Sequence, residues 1–298
     1  MKPNLRIYTL ILFSMIFWGI SFVWTRIALA ELQPIALVFI RLVSSSAILI
    51  VGLKLTKKLE IIRKDDYKHF ILASFFNPFL YFLGETFGIK YTSPVISAVI
   101  ISTIPVFTPV AAFLFLKEKL TFLNIIGLFI SFFGVLVMLG MSNGTNGNSI
   151  WGILFLLFAV FAAIAYSINL KKLSTKYGPF SIVAWQNLMG SIMFLPFFLI
   201  FNLQSTIAAP FSTKVLGSLI LLVVFASSLA FIFYTKVNSV LGVSRTAVFT
   251  NFIPVFTAIF SWMILDEELS LQKIFGMALV IGGVFLTQIK RFSKEREI

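Results

Sequence analysis

The chain has no cysteine and a single histidine in 298 residues. Disulfides, Cys-ligated metal sites and thiol catalysis are therefore excluded. His69 sits in a basic stretch beside Lys68 and reads as a solvated interface residue rather than a catalytic base. Charge is scarce as well. Only 12% of residues are charged and 59% are hydrophobic, whereas soluble domains have about a quarter and about half. No Gly-x4-Gly-Lys-Ser/Thr loop occurs, so direct use of ATP is not expected. Metal-ligand spacings and a Ser/His/Asp set are also missing, which argues against a membrane enzyme. Alternating ten-residue strands, the mark of a membrane β-barrel, do not occur either.

What the chain has in abundance is apolar length. Thirty-six Phe and a mean hydropathy of +1.01 exceed what a water-soluble core can bury, so lipid must be the solvent for much of the chain. Ten apolar runs are long enough to span, at roughly 7–29, 33–53, 68–89, 94–116, 122–140, 150–170, 180–201, 214–235, 242–264 and 271–290. The first lacks a small-residue cleavage site and is expected to stay as a helix. The fold class is thus all-α integral membrane, with ten transmembrane helices.

Net charge is +13, but the basic residues lie in short clusters between apolar runs. That pattern reports topology and not a nucleic-acid face. With the N-terminus taken as cytoplasmic, eighteen of the twenty-four Lys and Arg fall in inner segments. The densest set is Lys54, Lys57, Lys58, Arg63, Lys64 and Lys68. Four fall at outer ends: Arg26, Lys90, Lys214 and Lys273. The positive-inside rule then places both termini in the cytoplasm. Trp24 and Trp262 lie near outer ends and read as interface anchors.

The two halves of the chain resemble each other. A shift of 149 residues lays Ile104-Pro105-Val106-Phe107-Thr108 on Ile253-Pro254-Val255-Phe256-Thr257. The same shift aligns Glu118 with Glu267, Gly127 with Gly276 and Gly134 with Gly283. Pro34 and Arg41 parallel Pro179 and Gln186, seven apart in each half. The organisation is a first unit over 1–140, an uncharged, Gly-containing outer linker over 141–149, and a second unit over 150–298. Five helices per half is an odd number, so the second half enters from the opposite side and the repeat is inverted, as in many secondary transporters.

Trp18-Gly19-Ile20-Ser21-Phe22, the repeated Ile-Pro-Val-Phe-Thr and the Glu-x-Leu elements at Glu118/Leu120 and Glu267/Leu269 carry a resemblance. A Gly-x6-Gly helix follows each Glu-x-Leu. The chain resembles the EamA-type branch of the drug/metabolite transporter superfamily over essentially its whole length. The resemblance implies export or exchange of metabolites such as amino acids, or of drugs, through a central cavity between the halves. The second half departs from the pattern, with Ala165-Tyr166-Ser167 where the first has Trp18-Gly19. The two walls are therefore expected to be chemically unequal.

Candidate cavity residues are the aromatics Trp18, Tyr81, Tyr166 and Tyr234 and the polar residues Asn77, Ser102, Asn169 and Asn251. The aromatics can equally be packing, and the buried amides can serve as interhelical hydrogen bonds. Glu85 is the one acid well inside the first half's spans. It reads either as an ion-pair partner of Arg26 or Lys90, or as a coupling carboxylate. Arg41 reads either as a structural pair or lipid-phosphate contact, or as an anchor for a substrate carboxylate. Pro105 and Pro254 are expected to kink the middle of their helices, as static bends or as paired hinges. The Gly127/Gly134 and Gly276/Gly283 faces make the fifth and tenth helices candidates for packing or for a homodimer. The leading function is a secondary transporter of a small metabolite, needing no cofactor. The alternative is a flippase for a lipid or lipid-linked sugar, with a headgroup site around Arg41.

Overall fold

A computed structural model describes residues 5–107, 122–140, 149–208, 210–241, 246 and 249–294. Glu118, Leu120, Arg245 and all of the linker except Ser149 lie outside the described residues. All regular structure among the described residues is helical. In chain order the helices are α1 (Leu5–Ala28), α2 (Pro34–Leu55), α3 (Tyr67–Ser74), α4 (Tyr81–Tyr91), α5 (Pro94–Ile101), α6 (Phe122–Gly140) and α7 (Ile150–Ser174). They continue with α8 (Pro179–Phe201), α9 (Leu203–Ala208), α10 (Thr213–Leu221), α11 (Phe231–Leu241), α12 (Ile253–Leu265) and α13 (Leu271–Lys294). Six helical stretches among the described residues are long and apolar enough to cross a membrane.

Helix starts follow local chemistry. Pro34, Pro94 and Pro179 each occupy a first helical turn behind an extended residue. There the missing N–H costs nothing and the fixed φ suits the helix. Ser93, Ser149 and Ser212 accept hydrogen bonds from the first-turn amides of α5, α7 and α10.

Two spans are interrupted at matching places. A π-helical segment, Phe75–Leu80, joins α3 to α4, and another, Leu222–Ala230, joins α10 to α11. Within the first, Asn77 is extended, because the residue before a proline is pushed out of the helical region. The second frees carbonyls that buried side chains then bind. Ser45 and Asn187 donate to the Ser227 carbonyl, Ser14 to that of Ala230 and Ser228 to that of Val223. In a membrane such carbonyls must find partners inside the protein.

A second matched pair of interruptions corrects the expectation for the prolines. The helix beginning at α5 breaks into a turn at Ser102 and Thr103, and a 3-10 turn, Phe249–Phe252, leads into α12. Pro105 and Pro254 follow these breaks, Pro254 in the first turn of α12. They do not kink a helix from its middle. A first-turn proline removes no intrahelical hydrogen bond, so the break lies before it.

Packing links the halves in a pattern that maps onto itself when they are exchanged. α1 packs on α12 and on α10 and α11; α7 packs on α5 and on α3 and α4. α2 lies on α8, α5 on α12 and α6 on α13. The α6–α13 contact uses the glycine face internally, since a Cβ at Gly134 would meet the Gly276 carbonyl at 2.8 Å. Trp24, expected as an interface anchor, is instead buried beside Phe225, whereas Trp262 is exposed.

Loops also bind across the halves. Between α2 and α3 an extended strap is fastened to the α7–α8 turn. Asp66 accepts from Lys176 Nζ at 2.6 Å and from the Tyr177 hydroxyl at 2.8 Å, and Glu60 accepts from the Gly178 amide at 2.6 Å. At the ends of α1 and α10, Glu31 accepts from the Ser212 amide at 2.8 Å.

Candidate functional site

Where α1, α2, α4, α5, α7, α11 and α12 converge, they enclose a cavity with about 870 Å³ of empty space, the part open to the surroundings included. Its wall is largely aromatic and aliphatic, with a few polar groups.

The wall is duplicated. Trp18 and Ser167, Ser21 and Leu170, and Phe82 and Phe231 stand 149 residues apart, and all six line the cavity. Glu85 and Tyr234, Ile101 and Thr250, and Ile104 and Ile253 do the same. The shift that aligns the sequence halves therefore also generates most of the wall. Its polar groups differ between the halves, as the Trp18-Gly19 departure implied.

Among the sequence candidates, Trp18, Asn77, Tyr81, Tyr166 and Tyr234 line this cavity, together with Glu85 and Arg41. Three others do not. Asn169 donates back to the Ala165 carbonyl of its own helix at 3.2 Å. Ser102 is buried and donates to the Val99 carbonyl at 2.7 Å. Asn251 is also buried, with no hydrogen-bond partner for either amide atom. Ser102 and Asn251 lie at the two helix breaks, immediately behind the wall. Their neighbours Ile101, Ile104, Thr250 and Ile253 form it. Ser102 and Asn251 each follow a wall residue by one position, and so point to a different side from Ile101 and Thr250.

Glu85 is only 7% exposed, and its Oε1 accepts the Tyr81 hydroxyl at 2.8 Å. The spacing of four brings the two together on one face of α4. Neither cation expected as its partner is on it. Arg26 donates to the carbonyls of Ile89 and Lys90, and Lys90 Nζ donates to Gln33.

Arg41 is 2% exposed and lines the interior cavity, which corrects the lipid-phosphate reading, since it does not lie on the outer, lipid-facing surface. Its Nε donates to Ser227 Oγ at 3.2 Å, and its guanidinium carbon lies 4.7 Å from the centre of the Phe82 ring. Nη1 has no hydrogen-bond partner. Ser227 is itself held in the polar seam where Ser45 contacts Ser228 Oγ at 2.7 Å and Asn187 donates to Ser45 at 2.8 Å. No ion pair forms between Arg41 and Glu85 within 4 Å among the described residues.

Sequence reasoning missed Phe82, Phe231, Ile101 and Ile253 in the wall, because nothing in a Phe- and Ile-rich chain marks them individually. The repeat would have found Phe231 from Phe82. Among the described residues no three His, Asp or Glu side chains come together in a way that could hold a metal ion.

Comparison with known proteins agrees with this architecture. The chain matches the EamA-like transporter family twice, over residues 5–140 and 150–289. It is 28% identical over 275 residues to an uncharacterized transporter of Archaeoglobus fulgidus, covering 92% of this chain and 96% of that one. It is 28% identical over 293 residues to the uncharacterized transporter YvbV of Bacillus subtilis, covering 97% and 93%. A solved crystal structure superposes with a TM-score of 0.70 at 15% identity, covering 97% of this chain and 99% of that one, a likeness of fold. With two matches that together take in nearly the whole chain, this protein belongs to the EamA-like transporter family and is a multi-pass membrane transporter.

Proposed function

We propose that this chain is a secondary transporter that exports or exchanges a small metabolite, an amino acid or an aromatic or apolar solute, through the central cavity by alternating access. The observation that carries the reading is the duplicated wall, six pairs of cavity residues 149 positions apart. Helix contacts that map onto themselves on exchange of the halves support it. In this reading ten spans form two inverted five-helix units, 1–140 and 150–298, joined by an outer linker. Both termini face the cytoplasm, and the protein lies in the inner membrane. Inverted units can exchange conformations and so expose one cavity to each side in turn.

The breaks before Pro105 and Pro254 are the hinges of that exchange. The first is a turn at Ser102 and Thr103, the second a 3-10 turn leading into α12, and they sit at equivalent places. A homodimer through α6 and α13 would use their outward faces, where Phe133 and Phe275 are exposed, since the glycine face is filled within the chain. The names of the relatives are those of transporters, and none points to a flippase.

The test is flux in proteoliposomes loaded with a panel of amino acids, aromatic acids and their neutral analogues, with and without a pH gradient. Saturable flux that falls on Tyr234→Ala supports the reading. Absence of flux for every solute refutes it.

A further inference from the structure

Resting on the transporter reading, the charges in the cavity go further than its shape. Arg41 supplies one guanidinium with an unpartnered Nη1, 98% removed from solvent. Glu85 supplies one carboxylate, already bonded by Tyr81. The other titratable groups facing this space are the hydroxyls of Tyr166 on α7 and Tyr234 on α11. α5 and α12 contribute Ile101, Ile104, Thr250 and Ile253, and α1 contributes Trp18, Ser21 and Phe22, none of them charged. Among the described residues the cavity thus holds one positive and one negative group, with no ion pair between them within 4 Å, inside a largely apolar shell.

We propose that this cavity binds an organic monocarboxylate at Arg41 together with one proton on Glu85. A guanidinium held at Nε by Ser227, with a free N–H and a ring beneath it, presents a fork suited to a carboxylate. The aromatic wall, with Trp18, Tyr166, Phe231 and Tyr234, takes the hydrocarbon or ring part of the ligand.

Charge balance supplies the proton. With the cavity empty, Arg41 and Glu85 cancel. A bound anion would leave one uncompensated negative charge in a low-dielectric space, which is expensive. Protonation of Glu85 restores neutrality. Among the described residues no second cation lines the wall to do so instead, and a neutral ligand would need no proton at all. Binding of the anion and uptake of the proton are therefore linked one to one, and the loaded site moves without net charge.

The experiment is isothermal titration of the full chain in lipid nanodiscs at pH 7. The probe is 3-phenylpropionate, with its neutral amide for comparison, in two buffers of different ionisation enthalpy. Binding of the acid at least about tenfold tighter than the amide is expected, with about one proton taken up per anion. Arg41→Gln should abolish the preference for the acid, and Glu85→Gln should abolish proton uptake. Equal binding of acid and amide by the unmodified protein overturns the proposal without reliance on any variant. So does failure of the acid to bind up to about 10 mM, anion binding with no proton uptake, or uptake that persists in Glu85→Gln. Flux of neutral solutes alone, with no carboxylate moved, would overturn this inference and leave the transporter reading standing.

Discussion

A methyl group added at Gly19 separates two effects that usually travel together. A Cβ at this position would lie 2.5 Å from the Cβ of Phe256 and 3.3 Å from the Ile253 carbonyl. Ordinary contact begins near 3.4 Å, so α1 and α12 would have to separate by about 1 Å. Neither neighbour is the end of a flexible side chain. The same contact includes the hydrogen bond from Thr257 Oγ1 to the Gly19 carbonyl at 2.9 Å, which separation stretches. Overpacking of this kind costs about 1–3 kcal/mol. Gly52 offers a control within a helix, because a Cβ there meets nothing within 4 Å. Both substitutions gain the same helix propensity, about 1 kcal/mol, so it cancels in the comparison. Gly19→Ala should therefore melt below Gly52→Ala, by on the order of 2–6 °C for a chain of this length. Purified protein in detergent, followed by loss of the monodisperse peak on heating, gives the measurement. Gly19→Ala melting at or above Gly52→Ala would refute the close approach of α1 to α12 across the halves.

Two further outcomes follow from the packing and the loops. Asn187→Leu should lower stability by about 1–2 kcal/mol, because its amide bonds both Ser45 and the Ser227 carbonyl inside the bundle; a melting temperature equal to that of the unmodified protein would contradict this. Hydrogen bonding from Ser212 holds the Glu31 carboxyl below its ordinary value. A depressed value in the fold means that Glu31 stabilises above its unfolded value, about 4.3, and that this is lost as pH falls through the lower folded value. The stability difference between the unmodified protein and Glu31→Gln should thus be constant near neutrality and shrink as the pH falls below about 4.3; a difference that does not change as the protein is acidified through that range to its unfolding would refute the link.

The membrane class and the repeat were legible because each rests on a local or periodic signal. Apolar run length is set by bilayer thickness. For Trp18, Tyr81, Tyr166 and Tyr234 the sequence leaves cavity wall and packing both open, and the structure puts all four at the cavity. The partners were not legible. That Glu85 would take Tyr81, and not Arg26 or Lys90, depends on those cations finding backbone carbonyls and Gln33 at the ends of the helices. Such competition is three-dimensional. Ser102 and Asn251 each stand one residue past a wall residue, Ile101 and Thr250, and a polar side chain alone does not fix the rotation of its helix. Each proline marks the first turn after a break, where its sequence signal is the same as that of a mid-helix kink.

The duplicated wall also makes its departures from symmetry informative. At matched positions one half has Glu85 and the other Tyr234, and one has Ile101 and the other Thr250. Arg41 has Gln186 as its counterpart, and Gln186 accepts from Tyr166. A strictly symmetric cavity would carry two carboxylates and two guanidinium groups, and the states exchanged by its halves would be equal in energy. Among the described residues the cavity's charge comes from the first half, on α2 and α4, and the second half answers with neutral side chains. On the proposed alternation, neutralising Glu85 therefore acts on one half only and shifts the balance between the two states, which no change confined to matched pairs such as Phe82 and Phe231 would do.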